Sequence, residues 1–352
     1  MDKTVSIIST GLQLINCAEY IKAQGEHNNV LVVYASSKRR IAQIKALIAN
    51  KTYDGIFEKI VYLREFSNRY LNVFNVILNI IRLYLISIGK TKCCIAGNYL
   101  MASHRFLIAR FNKRDVKVVL VDDGLTTTEV AKWRPIELKE GIVHMFNGSF
   151  TTRLFYLPVR RYCVPKKVQY FTVYDVNVSS IGDEYIRCDY EYLKSHIQNF
   201  EINSEVFSGE CFFISQPLYK SIITKHSYCS YLNEFAKLTD KKDIIYIPHP
   251  SEDNFEQEII PSLAKKYRVI KTSLPFEIIA SIIKPGASVF TFYSSVIVNL
   301  MEMRKDLELV AIYLSEIDGF QDSLSSIWMG IKDSYSYFEE KEIRILKFPP
   351  IN

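Results

Sequence analysis

The sequence has no C-x-x-C pair and no cysteine–histidine cluster at metal-ligand spacing, which excludes the common zinc frameworks. Its seven cysteines (17, 93, 94, 163, 188, 211 and 229) are odd in number, and only Cys93 and Cys94 are neighbours. Several lie in apolar runs, where cysteine behaves as a small hydrophobe, so a reducing, cytoplasmic setting fits. No G-x-G-x-x-G follows the first predicted strand, which disfavours a Rossmann dehydrogenase. An aromatic–basic RNP-like run, a zinc finger and a helix-turn-helix signal are all missing, so no nucleic-acid partner is expected. Nothing at the start resembles a signal peptide: Met1-Asp2-Lys3 leads straight into the apolar Val5-Ser6-Ile7-Ile8. The most apolar long stretch, Leu71 to Ile88, is interrupted by Asn72, Asn75, Asn79 and Arg82. It reads as a buried or interface helix rather than a membrane span. Internal repeats and low-complexity segments are not evident.

What is present is a chain of 352 residues, long enough for two domains with sizeable cores. Its charge is unevenly spread. Residues 1–170 hold 26 Lys+Arg against 12 Asp+Glu, a net of +14, and residues 171–352 carry a net of −8. The densest basic groups are Lys38-Arg39-Arg40 and Arg153, Arg160, Arg161, Lys166 and Lys167. This asymmetry suits either a solvated basic surface or a first half that meets something anionic, such as an acidic glycan or a membrane surface.

Apolar runs at 5–9, 30–34, 56–63, 92–96 and 116–121 read as strands. Helical stretches at 12–23, from Ser37 to about 50, 67–88 and 104–111 separate them. From 211 the alternation restarts, with strands at 211–215, 244–247, 267–270, 289–292 and 307–313. Helices are expected at 227–238, 254–266, from Pro275 to about 283, and from Ser294 to about 303. Strands alternating with helices argue for parallel sheets with right-handed crossovers. The expected fold is α/β: a Rossmann-like domain over 1–190, a second over 205–330, and a segment 331–352 packing back on the first.

Polar groups recur just after these strands, where open α/β sheets bind ligands. The strand at 116–121 runs into Asp122-Asp123-Gly124. The D-G pair serves as an ordinary turn, or else the two acids supply a base or a metal site, since neighbouring carboxylates raise one another's pKa. Ile244–Ile247 runs into Pro248-His249-Pro250, which holds a proton-transfer residue in extended backbone, or is simply a turn. Ser294 and Ser295 at a helix start suit a phosphate, or are a plain cap. Glu277 suits the hydroxyls of a ribose, or is a first-turn acid facing the helix dipole.

D-D-G, H-P and S-S in this order, with His249 to Glu277 at 28 residues and His249 to Ser294 at 45, resemble bacterial sialyltransferases of the GT-B type. The likeness is to the lipooligosaccharide sialyltransferase family 52 and the polysialyltransferase families. Thr10-Gly11-Leu12-Gln13-Leu14 resembles their first strand–loop, and Gln216-Pro217-Leu218 their interdomain segment.

The resemblance implies two Rossmann-like domains facing across a cleft, and inverting transfer of a nonulosonic acid from its CMP-activated donor to a glycan hydroxyl. By it, Asp123 is general base, with Asp122 as the alternative, and His249 is general acid or donor to the departing phosphate. Ser294 and Ser295 bind that phosphate, Glu277 the ribose, and the backbone of Ser273-Leu274-Pro275 the cytosine. Gly11, Gln13, Asp122, Gly124, Gln216 and Pro250 complete the substrate-binding set. No metal or cofactor is implied beyond the CMP-sugar. The partners are a glycan or glycolipid acceptor and, peripherally, the anionic inner membrane. Rival readings are a transferase using CMP-Kdo or CDP-glycerol, and a non-catalytic module binding anionic glycans.

Overall fold

The apolar runs become buried parallel strands. The computed structural model describes residues 2–35, 37–63, 69–141, 150–178, 181–220, 222–241, 243–252, 255–315 and 325–348. The chain divides into two units, Met1–Phe200 and Glu201–Asn352.

In the first unit, β1 (Lys3–Ile8), β2 (Asn29–Tyr34), β3 (Lys59–Leu63), β4 (Thr91–Ala96), β5 (Lys117–Val121), β6 (Gln169–Thr172) and β7 (Glu184–Arg187) form one sheet in the order β3-β2-β1-β4-β5-β6-β7. Every pairing is parallel. The helices are α1 (Gly11–Gln24), α2 (Lys38–Ile48), α3 (Arg69–Ile86), α4 (Ala102–Asn112), α5 (Thr126–Glu140), α6 (Phe150–Tyr156) and α7 (Glu191–His196). Ser37 caps α2 by accepting from the Arg40 amide, as its residue type leads one to expect. Val5, Ile7, Val32, Cys94, Ala96 and Leu120 belong to the core beneath the sheet.

The second unit repeats the arrangement with six strands: β8 (Cys211–Ile214), β9 (Ile244–Ile247), β10 (Tyr267–Val269), β11 (Ser288–Thr291), β12 (Glu308–Ile312) and β13 (Arg344–Leu346), ordered β10-β9-β8-β11-β12-β13. All of these are parallel too. Its helices are α8 (Lys225–Leu238), α9 (Phe255–Glu258), α10 (Phe276–Ile279), α11 (Val296–Met303) and α12 (Ser325–Glu340). In both sheets the strand order reverses once, at β1/β4 and at β8/β11. Crevices at such reversals are where this class of sheet binds its ligands.

Several expectations are corrected. Of the segment 331–352, the part up to Glu340 belongs to α12, and β13 pairs with β12 through Ala311 and Ile345 and so extends the second sheet; residues 349–352 lie outside the described residues. The helix expected over 254–266 stops at Glu258, and a 3-10 turn follows over Ile260–Ser262. Pro261 has no N–H to continue the ladder, and its ring crowds the preceding turn. The helix from Pro275 likewise shortens to α10 and a 3-10 turn, Ala280–Ile282.

Helix α5 has no counterpart among the expected elements, and it holds Pro135, a residue that ordinarily breaks a helix, in its interior. Two fully buried ion pairs hold it. Arg134 donates to both oxygens of Asp183 at 2.7 and 2.9 Å, and Arg105 of α4 donates to both oxygens of Glu137 at 2.8 and 2.9 Å. All seven cysteines are buried and free. Burial pushes the Cys17 and Cys93 thiols up to about 12, so they are inert filling rather than nucleophiles.

Candidate active site

In the first unit the polar residues gather at the reversal of strand order. Thr10, two residues past β1, caps α1 by accepting from the Gln13 amide, which places Gly11 and Gln13 in the first turn of the helix. Gln13 is fully buried. Its Oε1 accepts from the amide and hydroxyl of Ser9, which leaves Nε2 free to donate to Asp123 Oδ1. The other oxygen of Asp123 accepts from Asn98 Nδ2, just beyond β4. Asn98 is itself pinned: its Oδ1 accepts from the amides of Leu100 and Met101 at 2.7 and 2.8 Å, and its own amide donates to His104 Nδ1 at 3.0 Å.

Burial pushes the His104 pKa down to about 3, so the ring is neutral, and with Nδ1 accepting, its proton sits on Nε2. Asp123 is half-buried. Burial raises its pKa, while the two amide donors and the charge of Arg40 hold it down. Gly124 turns the chain with φ of 68°, in the left-handed region that favours glycine.

Asp122, one residue away, does different work. It is completely buried, accepts from the Thr172 hydroxyl and, at 2.9 Å, from the Val173 amide, and so bolts β5 to the end of β6. Burial pushes it up to about 7. A carboxyl with both oxygens engaged and no exposure has none to offer a substrate, so the substrate-binding and alternative-base roles expected of Asp122 are withdrawn.

In the second unit His249 follows β9 and is half-buried. Its backbone amide donates to Glu252 Oε2 at 2.6 Å, and its carbonyl accepts from the Glu252 amide at 2.9 Å. Glu252 in turn accepts from the Ser215 hydroxyl at 2.7 Å, within a buried cluster that includes Tyr228 and Tyr246. His249 Nδ1 accepts from the Ser251 amide at 3.1 Å. In the neutral ring this bond directs the proton to Nε2.

Gln216, just past β8, accepts through Oε1 from the Tyr293 amide at 2.9 Å and so ties the two strand ends at the reversal. Ser294 and Ser295 follow directly. Ser294 Oγ accepts from the Val296 amide at 3.3 Å, whereas Ser295 gives α11 no side-chain cap. Glu277, in the first turn of α10, is 6% exposed and accepts from Asn299 of α11 at 2.8 Å. Its burial raises its pKa, and that hydrogen bond opposes the rise. Pro275 immediately precedes α10; Ser273 is exposed, and the Leu274 amide donates to the Thr272 hydroxyl. Pro250 follows His249 and is half-buried.

The sequence pattern of the family described as alpha-2,8-polysialyltransferase (POLYST) matches residues 4–312. The chain belongs to the alpha-2,8-polysialyltransferase family. It is therefore a glycosyltransferase, and the match spans both sheets. Solved structures similar to it show the GT-B fold. TcCGT1 in complex with UDP is 9% identical, with 99% of this chain and 86% of that one covered and a TM-score of 0.60. For the spinosyn forosaminyltransferase SpnP the figures are 8%, 100%, 86% and 0.52. For UDP-N-acetylglucosamine 2-epimerase from Rickettsia bellii they are 11%, 96%, 88% and 0.53. A transferase and an epimerase share the fold, so the fold does not carry the reaction; the family match does. A search of curated proteins by sequence found no match.

Within this polysialyltransferase fold, sequence reasoning found Gln13 and Asp123 but not the residues that fix them. Asn98 and His104 carry no local signal, because their role exists only once β4 lies beside β1 and β5. Gly97 is equally silent. A Cβ there would lie 2.5 Å from Gln13 Oε1 and 2.6 Å from its Cδ, so only glycine lets that side chain cross the end of β4. Ser215, Glu252 and Asn299 were missed in the same way. The charge of Glu252, three residues past His249, was the one available hint.

Proposed function

We propose that this protein moves sialic acid, with inversion, from CMP-sialic acid to a hydroxyl of an acidic glycan, and that the acceptor is a growing α2,8-linked sialic acid chain. The observation that carries the reading is the polysialyltransferase match over 4–312, which takes in D-D-G, H-P and S-S together. The basic character of the first unit suits an anionic acceptor.

Asp123 takes the proton of the acceptor hydroxyl as its oxygen bonds to the anomeric carbon of the donor. The bond from that carbon to the CMP phosphate breaks, and the electron pair leaves with the phosphate. His249 Nε2 donates to the phosphate oxygen, and the hydroxyls of Ser294 and Ser295 bind it. The sugar carbon is cation-like as CMP departs, so the demands are proton removal and stabilisation of phosphate charge. These side chains meet both demands, so the mechanism calls for no metal. Glu277 offers the ribose the oxygen that Asn299 does not hold, and Ser273-Leu274-Pro275 borders the cytosine. The setting this implies is surface polysaccharide or capsule synthesis at the cytoplasmic side of a membrane.

The test is a thermal-shift panel of CMP, CDP, UDP, GDP and NAD, followed by transfer from CMP-sialic acid to a sialic acid oligomer. Ligands that bind the folded state stabilise it, by about 2.7 kcal/mol at a hundred times Kd. CMP is expected to raise the midpoint most, with the effect lost in the Ser294→Ala, Ser295→Ala double variant. His249→Ala and Asp123→Ala are expected to lower transfer by orders of magnitude in folded protein. A preference for UDP or GDP would keep the fold and overturn the donor. Transfer from CMP-Kdo in place of CMP-sialic acid would overturn the sugar.

A further inference from the structure

Helix α3 carries large apolar side chains on its outward face as well as its inward one. Its inward face includes Asn75 and Asn79, both buried, alongside Val76 and Leu83. Its outward face carries Phe74, Ile77, Ile81, Tyr84 and Leu85, which are between 44% and 63% exposed. Spacings of three, four, three and one residues put these five on one stripe along the helix, and Ile88, exposed just past its end, continues the line. A continuous stripe of large apolar side chains in water marks a surface that something covers, unlike the scattered exposed leucines of ordinary proteins.

Charge identifies the cover. Residues 69–114 contain eight lysines and arginines and no aspartate or glutamate. Arg82 is exposed at the edge of the stripe, and Arg110 lies 4.2 Å over the Tyr84 ring. At the carboxyl end of α3, Lys3 donates to the carbonyls of Ile86 and Ile88 at 2.7 Å, Arg114 donates to those of Ser87 and Gly89, and Lys90 is exposed. Just past the end of α4, Lys113 stands over Tyr162, which follows the exposed Arg160 and Arg161. An apolar stripe with these cations beside it is complementary to a bilayer surface with anionic headgroups, where the apolar side chains enter the acyl boundary and the bases stay at the headgroups. A symmetric pairing of two copies through the same face would set these cations against one another. Among the described residues no helix is long and apolar enough to cross a membrane, so α3 would lie in the surface plane rather than span it.

We propose that the outward face of α3 is a docking surface for an anionic lipid bilayer. This stands apart from the transferase reading, because none of its residues belongs to the candidate active site. The experiment is flotation of the full chain with vesicles of phosphatidylglycerol and phosphatidylethanolamine, and with vesicles of phosphatidylcholine alone. The same runs include Phe74→Glu with Ile81→Glu, and separately Arg82→Glu with Lys90→Glu, each checked for an unchanged melting midpoint. The wild type is expected to float with the anionic vesicles and to do so at least tenfold less with the neutral ones. Both double variants are expected to lose most of the bound fraction while keeping transfer between soluble substrates. Flotation of the Phe74→Glu, Ile81→Glu protein equal to wild type would overturn the proposal. So would indifference of the wild type to every vesicle, with light scattering showing that the same substitutions turn a dimer into a monomer.

Discussion

Asp122 and Asp123 leave the same strand end, one turned toward β6 and the other toward the ends of β1 and β4. Asp122 has hydrogen-bond donors that an amide can also satisfy, since an asparagine accepts from the Val173 amide and donates to the Thr172 hydroxyl. With its pKa raised to about 7, against about 3.9 in an unfolded chain, Asp122 stays protonated in the fold after the unfolded chain has ionised. Its contribution is therefore fully present below about pH 4 and is lost as pH rises toward 7. Asp122→Asn is expected to flatten this part of the stability–pH profile in denaturant titrations, with transfer retained. Asp122→Ala strands the Val173 amide and is expected to cost about 1–3 kcal/mol. Asp123 carries a different expectation: Asp123→Asn abolishes transfer and, by setting an NH2 against one of the two pinned amide donors, also costs about 1–3 kcal/mol of stability. Because the two amides favour its ionised form, Asn98→Ala is expected to move the acid limb of the rate–pH profile to higher pH. An unmoved limb would remove Asn98 from the control of that carboxylate.

Between elements, the candidate site depends on how closely α1 approaches the end of β4. The Gly97 amide donates to Ile7 at 2.9 Å, which continues the β1–β4 ladder one residue past the strand, and Gln13 lies across it. Gly97→Ala presses its methyl on the far end of a flexible side chain, which can yield without unfolding the sheet. The substitution is therefore expected to lower transfer tenfold or more, through a displaced Gln13, with a shift in melting midpoint of a few degrees at most. A large fall in the midpoint with normal turnover in the remaining folded protein would show that the contact serves packing alone. The second unit has a comparable strut in Gln216, whose hold on the Tyr293 amide sets β8 against the loop that presents Ser294 and Ser295.

Across the whole molecule the two units differ in charge. The first has 28 Lys+Arg against 17 Asp+Glu, and the second 16 against 21. If the acceptor is a polyanion held largely by the first, its binding is a sum of screened interactions and falls as salt shortens the Debye length from about 10 Å at 0.1 M. Raising salt from 50 to 500 mM is expected to weaken binding of a sialic acid oligomer about tenfold, while the CMP-induced thermal shift changes little. Equal salt sensitivity of the two would argue that the charge asymmetry plays no part in choosing the acceptor.

Apolar runs and their spacing were enough to place most strands and the α/β class, because a strand buried on both faces must be written as a continuous apolar segment whatever its neighbours are. They were enough, too, to mark His249, Asp123 and Ser294–Ser295 as polar groups at strand ends, since proline, glycine and serine declare local backbone geometry. Helix α5 escaped because its stability comes from Arg105–Glu137 and Arg134–Asp183, partners 32 and 49 residues apart, and these outweigh the proline in its middle. The division of labour between Asp122 and Asp123, the Gln13–Asn98 clamp and the Glu252 support beneath His249 also lay beyond the sequence. Each is a hydrogen bond between strand ends that become neighbours only in the folded sheet, and the pKa of a carboxyl is set by that neighbourhood rather than by the residues beside it in the chain.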